Sequence, residues 1–232
     1  MAAKSQDRKG AILSHAEELF ANFGLHGVSI RDIAEAAAVP PALVLYHFST
    51  KDNLYQEVFE SRARDFNSSR ERALRALAEG PGQPEIEEVL HAMAKPWFDV
   101  RRMRGGVSYA RLIAREVSDP DEGSRGIIAK TLDPIAKHFF GALTRAMPHA
   151  DPGAVHWAGH YFIAALLMMM AGTGRIQRLS GKYCRAGRSS EQQIIRFFAA
   201  ALRNAAATNG RKLPRDGAVR RNHAERRIAA NE

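Results

Sequence analysis

Residues 28–48 read VSIRDIAEAAAVPPALVLYHF and predict two short helices joined by a tight turn. Ser29 and Asp32 have the spacing of a capping box, in which the serine hydroxyl accepts a hydrogen bond from the Asp32 amide and the carboxylate accepts one in return. We therefore expect the first of the two helices to begin at Ser29. It should run to about Ala37.

The second of these helices starts at a proline. Proline breaks a helix interior but suits the first helical position, so we expect the chain to turn after Ala38 and to form a helix over residues 41–47. The Ser49-Thr50 pair then ends this helix and can cap a longer one over residues 51–78. The short helix 41–47 is the candidate recognition helix.

An earlier helix carries its apolar residues on one face, because they recur at spacings of four, three, one and three. Gly24 follows, as a glycine often does just beyond a helix end. Three helices in this order are typical of a helix-turn-helix domain, whose last helix enters the major groove. The apolar face consists of Ile12, Ala16, Leu19, Phe20 and Phe23.

The rest of the chain is also helical in pattern, with no convincing alternating strand and no repeat, so the predicted fold class is all-α. We expect a DNA-binding domain over residues 1–50, connected through helix 51–78, and a helical ligand-binding and dimerisation domain over residues 51–207. Residues 208–232 are expected to form a basic, disordered tail. Further helices are predicted at 84–103, 106–117, 122–146, 152–178 and 189–207, with Pro96 and Pro134 kinking or splitting theirs.

The net charge of +9 is weak evidence for nucleic-acid binding, because it does not lie on the predicted DNA-binding domain. Residues 1–79 hold 10 basic and 11 acidic residues, whereas residues 208–232 hold 7 and 3. The single cysteine, Cys184, cannot form an internal disulfide, which fits a reducing cytoplasm. The longest apolar run, near residues 162–171, is shorter than the ~20 residues of a membrane span, so we expect no membrane partner and a cytoplasmic protein.

Two stretches, FANFGLHGVSIRDIAEAAAV over residues 20–39 and LYHFSTKDNL over residues 45–54, resemble the N-terminal signature of the TetR/AcrR family. The F-x-x-x-G turn, the S-x-R-x-I-A helix start, the Y-H-F end and the K-D-x-L entry all match in order and spacing. The resemblance covers about residues 8–60. It implies a dimeric, DNA-binding transcriptional regulator whose last two long helices pair with those of a second subunit.

The resemblance also implies roles for single residues. Arg31 matches a position that faces DNA, and Lys51 matches a lysine that pairs with phosphate. Family members often carry threonine at position 43 and tyrosine at position 45, whereas this chain carries leucine at both. Because a leucine side chain cannot form hydrogen bonds, base recognition must rely on Arg31 or on apolar contacts to thymine methyl groups. Packing against the first helix is the alternative for both leucines. The predicted DNA-binding residues are Ser29, Arg31, Pro41, Leu43, Leu45, Tyr46, His47 and Lys51.

The predicted ligand-binding residues are large aromatic and methionine side chains of the C-terminal domain, which suit a small-molecule pocket. The alternative is that most of them are ordinary core residues. These residues do not indicate a class of ligand, and we expect no cofactor. His156 and His160 lie four residues apart, a spacing that can hold a metal, but no acidic residue or cysteine near them in the sequence completes a metal site. The nine candidates are Trp97, Phe98, Met103, Tyr109, Phe139, Phe140, Trp157, Tyr161 and Met168.

The function expected from these observations is a sequence-specific homodimeric regulator that binds double-stranded DNA. We expect a repressor released by a small-molecule effector. Its two recognition helices should lie about 34–36 Å apart, which requires a near-palindromic operator. The alternatives are a helical enzyme on an apolar substrate, for which we find no nucleophile, phosphate-loop or metal signature, and non-specific DNA binding through the basic tail. An enzyme is not expected.

Overall fold

The structure is a computed structural model that describes residues 2–102, 106–184 and 188–207. Within these ranges every regular element is a helix. The elements are α1 (Ala2–Phe23), α2 (Ile30–Ala36), α3 (Pro41–Phe48), α4 (Lys51–Glu79), α5 (Ile86–Arg102), α6 (Gly106–Val117), α7 (Glu122–Arg125), α8 (Ile127–Thr131), α9 (Asp133–Ala146), α10 (Pro152–Met170), α11 (Arg175–Ser180), a 3-10 turn (Gly181–Tyr183) and α12 (Arg188–Ala207).

The apolar face of α1 is buried, with one exception. Ile12, Ala16 and Phe20 are inaccessible to solvent, whereas the Phe23 side chain is 60% exposed, so its predicted place on the buried face is wrong. Phe23 is the last residue of α1. Gly24 follows with a φ of 75°, a left-handed conformation that glycine adopts without steric cost.

The turn between α2 and α3 is a Schellman motif. The amide of Val39 donates to the carbonyl of Ala34 at 2.9 Å, and the amide of Ala38 donates to the carbonyl of Glu35 at 3.0 Å. Ala38 has a φ of 52°, so an alanine occupies the left-handed position that usually holds glycine. This turn fixes the direction in which α3 leaves α2.

Helix α4 connects the two halves of the molecule, because it packs against α1 and α3 near its start and against α5, α8 and α9 further along. Its N-terminus is capped by Thr50, whose hydroxyl accepts from the Asn53 amide at 3.1 Å. Within the described part of the chain, buried apolar residues from both halves form one continuous cluster, which includes Phe20, Phe59 and Phe139. The N-terminal helices and the C-terminal helices therefore share a core.

Two predicted helices are divided in the structure. The segment 122–146 forms three helices, α7, α8 and α9. Gly126, with a φ of 64°, separates α7 from α8, and Leu132 separates α8 from α9. The segment 152–178 ends its first helix at Met170, after which Gly172 and Gly174 both have positive φ. By contrast α5 continues as a helix through Pro96.

Helix α10 is longer than the apolar run identified in the sequence. Its 19 residues, with a mean hydropathy of 1.3 over 18 of them, are long and apolar enough to cross a membrane by length and composition. This corrects the prediction that the longest apolar run, near residues 162–171, is shorter than a membrane span. Tightly packed helices of globular proteins have the same properties. Here Val155, Phe162 and Leu166 are buried against the rest of the chain, and the apolar window as a whole is 28% buried.

Candidate nucleic-acid interface

Helix α3 buries one face and presents the other to solvent. Val44 and Phe48 are buried and fix the helix on the core, whereas Tyr46 is 79% exposed and Leu45 is also exposed. Pro41 lies exposed at the first helical position, and Leu43 is half-buried. Leu45 and Tyr46 are therefore free to contact a partner, while Leu43 is partly engaged in packing.

The start of α2 presents Arg31 beside a well-formed cap. The Ser29 amide donates to Oδ2 of Asp32 at 2.7 Å, and the Asp32 amide donates to the Ser29 hydroxyl at 3.2 Å, which confirms the predicted capping box. The hydrogen bond that the Ser29 amide donates to the Asp32 carboxylate is the main cause that lowers the pKa of Asp32, and the nearby Ser29 hydroxyl adds to it. The Ser29 hydroxyl is thus committed to the helix, and the guanidinium of Arg31 is exposed.

Lys51 holds the loop between α1 and α2 in place. Its ammonium donates to the carbonyl of Leu25 at 2.8 Å and to that of Val28 at 2.9 Å. An ammonium has three donors, so one N–H remains for a phosphate. The sequence predicted the phosphate contact and did not predict the two carbonyl contacts, which join the start of α4 to the start of α2.

His47 lies half-buried at the end of α3, between the rings of Tyr46 and Phe48 at centroid distances of 5.3 and 6.0 Å. Its Nε2 atom is buried without a hydrogen-bond partner among the described residues. A buried ring nitrogen of this kind gains a partner when a ligand closes over it. His47 therefore lies at the rim of the exposed face.

The exposed face of α3 carries no lysine or arginine, because the helix contains neither residue. Lys9 of α1 lies close by, but its ammonium is paired with Glu57 at 2.6 Å and lies 5.4 Å from the Phe48 ring centroid. Arg31 is thus the cation that the α2–α3 unit itself presents. This arrangement suits a contact to thymine methyl groups flanked by charged contacts to the backbone.

Arginines of α6 fasten the end of α1 to the C-terminal half. Arg115 donates to the carbonyls of Ala21 and Asn22 at 2.9 and 2.8 Å, and Arg111 donates to the side-chain oxygen of Asn22 at 2.7 Å. These carbonyls belong to the last turn of α1, where no intrahelical donor is available and a cation is favoured. These hydrogen bonds join α6 to the last turn of α1.

A buried polar network makes a second connection. The Tyr55 hydroxyl of α4 donates to Glu116 of α6 at 2.8 Å, and Arg125 donates to both oxygens of the same carboxylate at 2.9 and 3.0 Å. Glu116 is fully buried, and Arg125 also pairs with Asp119 at 2.9 Å. Burial and the bond to Glu116 raise the pKa of Tyr55, and the bond to Glu116 raises that of Arg125.

None of the residues in these two connections was predicted from the sequence. Glu116 could have been found, because it stands four residues beyond Leu112 on the same buried face of α6 as Tyr109. A carboxylate within an apolar face is a signal for a buried ion pair. The contacts of Arg115 depend on how distant helices meet, and the local sequence carries no comparable signal for them.

The predicted ligand-binding residues fall into three groups. One group lies in the core: Trp97, Phe98, Tyr109 and Phe139 are buried, and Phe140 is half-buried and stacks on His156 at 4.7 Å. A second group lies on the outer face of α10: Trp157, Tyr161 and Met168 are between 57% and 70% exposed. Met103 lies outside the described residues.

An open cleft of about 770 Å³ lies between α6 and α10, and it brings Met168 close to the end of α1. Asn22, Arg111 and Arg115, which fasten α1 to α6, also line it. Trp157 and Tyr161 stand away from this cleft, next to each other with ring centroids 5.7 Å apart. The structure thus separates the eight described candidates instead of gathering them around one cavity.

Both halves of the chain match known families. Residues 12–58 match the family model of bacterial regulatory proteins of the tetR family, and residues 91–201 match that of the tetracyclin repressor-like C-terminal domain. The HTH-type transcriptional regulatory protein RaaS of Mycobacterium tuberculosis is 34% identical over 154 residues, which cover 59% of this chain and 70% of that protein. The chain belongs to the tetR family.

Two further comparisons agree with membership of the tetR family. The HTH-type transcriptional regulator RutR of Escherichia coli is 46% identical over 48 residues, covering 21% of this chain and 23% of RutR. The crystal structure of the TetR-family regulator PfmR from Thermus thermophilus superposes with a TM-score of 0.56 at 20% identity, over 83% of this chain and 97% of that one. The chain is thus a DNA-binding transcriptional regulator with the tetR fold.

Proposed function

We propose that this tetR-family regulator is a homodimeric repressor that binds a near-palindromic operator through α3 and is released by a small molecule bound in its C-terminal domain. The observation that carries the proposal is the exposed, uncharged face of α3, held by buried Val44 and Phe48 and flanked by Arg31. Residues 1–50 form the DNA-binding part, and residues 51–207, entered through α4, form the ligand-binding and dimerisation part.

The proposed DNA contacts divide by chemistry. Leu45 and Pro41 meet base edges through thymine methyl groups, with Leu43 at the margin of the contact. Arg31 supplies charge and hydrogen bonds from the start of α2. The remaining residues of the set, Ser29, Tyr46, His47 and Lys51, approach the sugar-phosphate backbone, which positions the helix without reading sequence.

The proposed dimer contact is the exposed face of α10 and α12. Trp157, Tyr161 and Met168 recur on α10 at helical spacing, and Phe197 of α12 is 68% exposed. Only part of the apolar surface of α12 is available for this contact, because Ile195 and Leu202 are buried within the chain. Exposed aromatic side chains grouped in this way are typical of an interface, and a twofold contact would bury them.

The proposed coupling between ligand and DNA runs through the two connections between the halves. A ligand that displaces α6 moves Arg115, which holds the last turn of α1, and Glu116, which holds α4 through Tyr55. Either movement changes the position of α3 relative to the α3 helix of the second subunit. Coupling free energies of this kind are typically about 1–3 kcal/mol, or 5- to 150-fold in operator affinity.

The test of DNA binding is a gel-shift titration on duplexes taken from the DNA that flanks the protein's own gene. We expect a near-palindromic site whose affinity falls at least about ten-fold in Arg31→Ala and in Leu45→Glu. Arg72→Ala and Leu179→Glu are matched controls at exposed positions of α4 and α11, and they should bind as the wild type does. Equal binding by all four variants and the wild type would refute the proposed interface.

The test of the dimer is sedimentation equilibrium of Trp157→Glu and Phe197→Glu. Both variants should sediment as monomers at concentrations where the wild type is a dimer, because a buried charge disfavours an apolar contact. Leu179→Glu is again the control and should remain dimeric. A wild-type monomer, or dimers in every variant, would contradict the proposed contact.

A further inference from the structure

Arg70 occupies the apolar face of α4. Phe59, Phe66 and Leu74, which share this face at helical spacing, are buried, and the Arg70 side chain is itself only 2% exposed. An arginine is rarely buried unless it is paired. A single cation within an apolar helix face is visible in the sequence, but Arg70 was not predicted as a site residue from it.

Most of the hydrogen-bonding capacity of this guanidinium is unused. Nη2 donates to the side-chain oxygen of Asn67 at 2.5 Å, whereas Nε and Nη1, which carry three N–H donors, have no partner among the described residues. The aromatic rings of Phe66 and Trp97 lie 4.8 and 5.5 Å from the guanidinium carbon. Burial lowers the pKa of Arg70 to about 10, so the side chain remains charged at neutral pH.

Tyr109 offers a further free donor beside the same rings. Its hydroxyl is buried and has no hydrogen-bond partner among the described residues, and its ring lies 5.7 Å from that of Phe66. Phe66 in turn lies 4.8 Å from Trp97. Two polar groups with unused hydrogen-bond donors, those of Arg70 and Tyr109, thus border one aromatic cluster in the interior.

Among the described residues, the other buried charged side chains are paired, which makes Arg70 an exception there. Glu116 is held by Arg125 and Glu17 by Arg62, each in a direct ion pair. No carboxylate of the described residues forms an ion pair with Arg70. A buried charge without a counter-ion is costly, and such a residue is a candidate for a binding site whose ligand supplies the missing charge.

We propose that Arg70 and Tyr109 bind the carboxylate of the effector, and that the apolar or aromatic body of the effector lies along Phe66 and Trp97. This inference rests on the proposed function and names the chemical class of its effector. A single cation balances the single charge of a carboxylate, whereas a phosphate monoester, with about −1.5 to −2 charges, would leave excess charge in an apolar site. Because the site is closed, binding requires local opening of the packing around Trp97.

Such a ligand would act on the helix that enters the DNA-binding domain. Arg70 stands 19 residues after Lys51 on α4, which is about 28 Å along the helix axis. Asn67, the partner of Arg70, also donates to the Thr131 carbonyl at the end of α8 at 3.0 Å. A carboxylate that draws Arg70 toward Trp97 would shift α4 relative to α8 and α5.

The test is calorimetric titration of the full-length protein with two acids, decanoate and 2-naphthoate, and with the matched neutral alcohols, decan-1-ol and 2-naphthalenemethanol. We expect at least one acid to bind about ten- to hundred-fold more tightly than its alcohol, because a hydrogen bond to a charged group contributes about 1.5–3 kcal/mol. In Arg70→Met the preference should fall to within about two-fold. No preference in the wild type, or the same preference in Arg70→Met, would overturn the proposal.

A second readout needs no ligand. Arg70→Met removes a buried unpaired charge at similar volume, so its Tm without ligand should equal or exceed that of the wild type. A fall of more than about 4 °C would show that Arg70 serves the fold alone, which also overturns the proposal. Operator binding by the unliganded wild type tests the proposed function separately, because the titrations with acids and alcohols contain no DNA.

Discussion

Replacing Lys51 with methionine tests whether this residue anchors the helix-turn-helix unit. The substitution keeps the aliphatic chain and removes the ammonium that donates to the carbonyls of Leu25 and Val28 at 2.8 and 2.9 Å. A hydrogen bond to a charged group contributes about 1.5–3 kcal/mol when buried. Because Lys51 is half-buried, we discount the sum of the two to about 2 kcal/mol, which corresponds to a fall in Tm of about 4–8 °C.

The assay combines urea unfolding with fluorescence anisotropy on the operator duplex over a range of salt concentrations. Lys51→Met should lower both the free energy of unfolding and the operator affinity. If the third N–H of Lys51 also contacts a phosphate, the slope of log affinity against log salt should decrease by about 0.9 per subunit. Lys137→Met, at an exposed position of α9, is the control. An unchanged free energy of unfolding in Lys51→Met would refute the anchoring role.

Two further predictions concern packing and buried polarity. Tyr55→Phe removes the hydroxyl that donates to buried Glu116, so urea unfolding should show a loss of about 1–2 kcal/mol, and wild-type stability would contradict the role assigned to this bond. Gly159→Ala places a Cβ 2.7 Å from Cε1 of Phe140 and should lower Tm. The Cβ of Gly141→Ala makes only an ordinary van der Waals contact, so this variant should raise the free energy of unfolding by up to about 1 kcal/mol through helix propensity, and with it Tm. Shifts of Tm with the same sign in both variants would count against this packing.

Features set by neighbouring residues were predictable from the sequence. The capping box of Ser29 and Asp32 depends on a three-residue spacing, the end of α1 on the left-handed φ of Gly24, and the start of α3 on Pro41. Each of these signals acts through the local backbone. The bounds of α2 and α3 could therefore be predicted before any tertiary contact was known, whereas the residues of the candidate interface were predicted from the resemblance to the TetR/AcrR family.

Features set by distant contacts were not predictable in the same way. The ammonium of Lys51 lies against the Leu25 carbonyl because the start of α4 meets the loop after α1, a contact across 26 residues. Phe23 fits the helical period of α1 but lies at its last turn, where the core ends. Gly126 has a φ of 64° and separates the helices Glu122–Arg125 and Ile127–Thr131, which the sequence predicts as parts of one helix. The helical spacing of apolar residues identifies the face that they share, but it does not show how far along the helix that face is buried.

The placement of α3 in the major groove is tested most directly by disulfide cross-linking from position 45. In a Cys184→Ser background, Leu45→Cys is mixed with operator duplexes that carry a thiol tether on C5 of single thymines, and Leu179→Cys on α11 serves as the control. We predict a cross-link from position 45 to one or two thymines in each half-site and none from position 179. Tight operator binding without a cross-link from position 45, or equal cross-linking from both positions, would contradict the account.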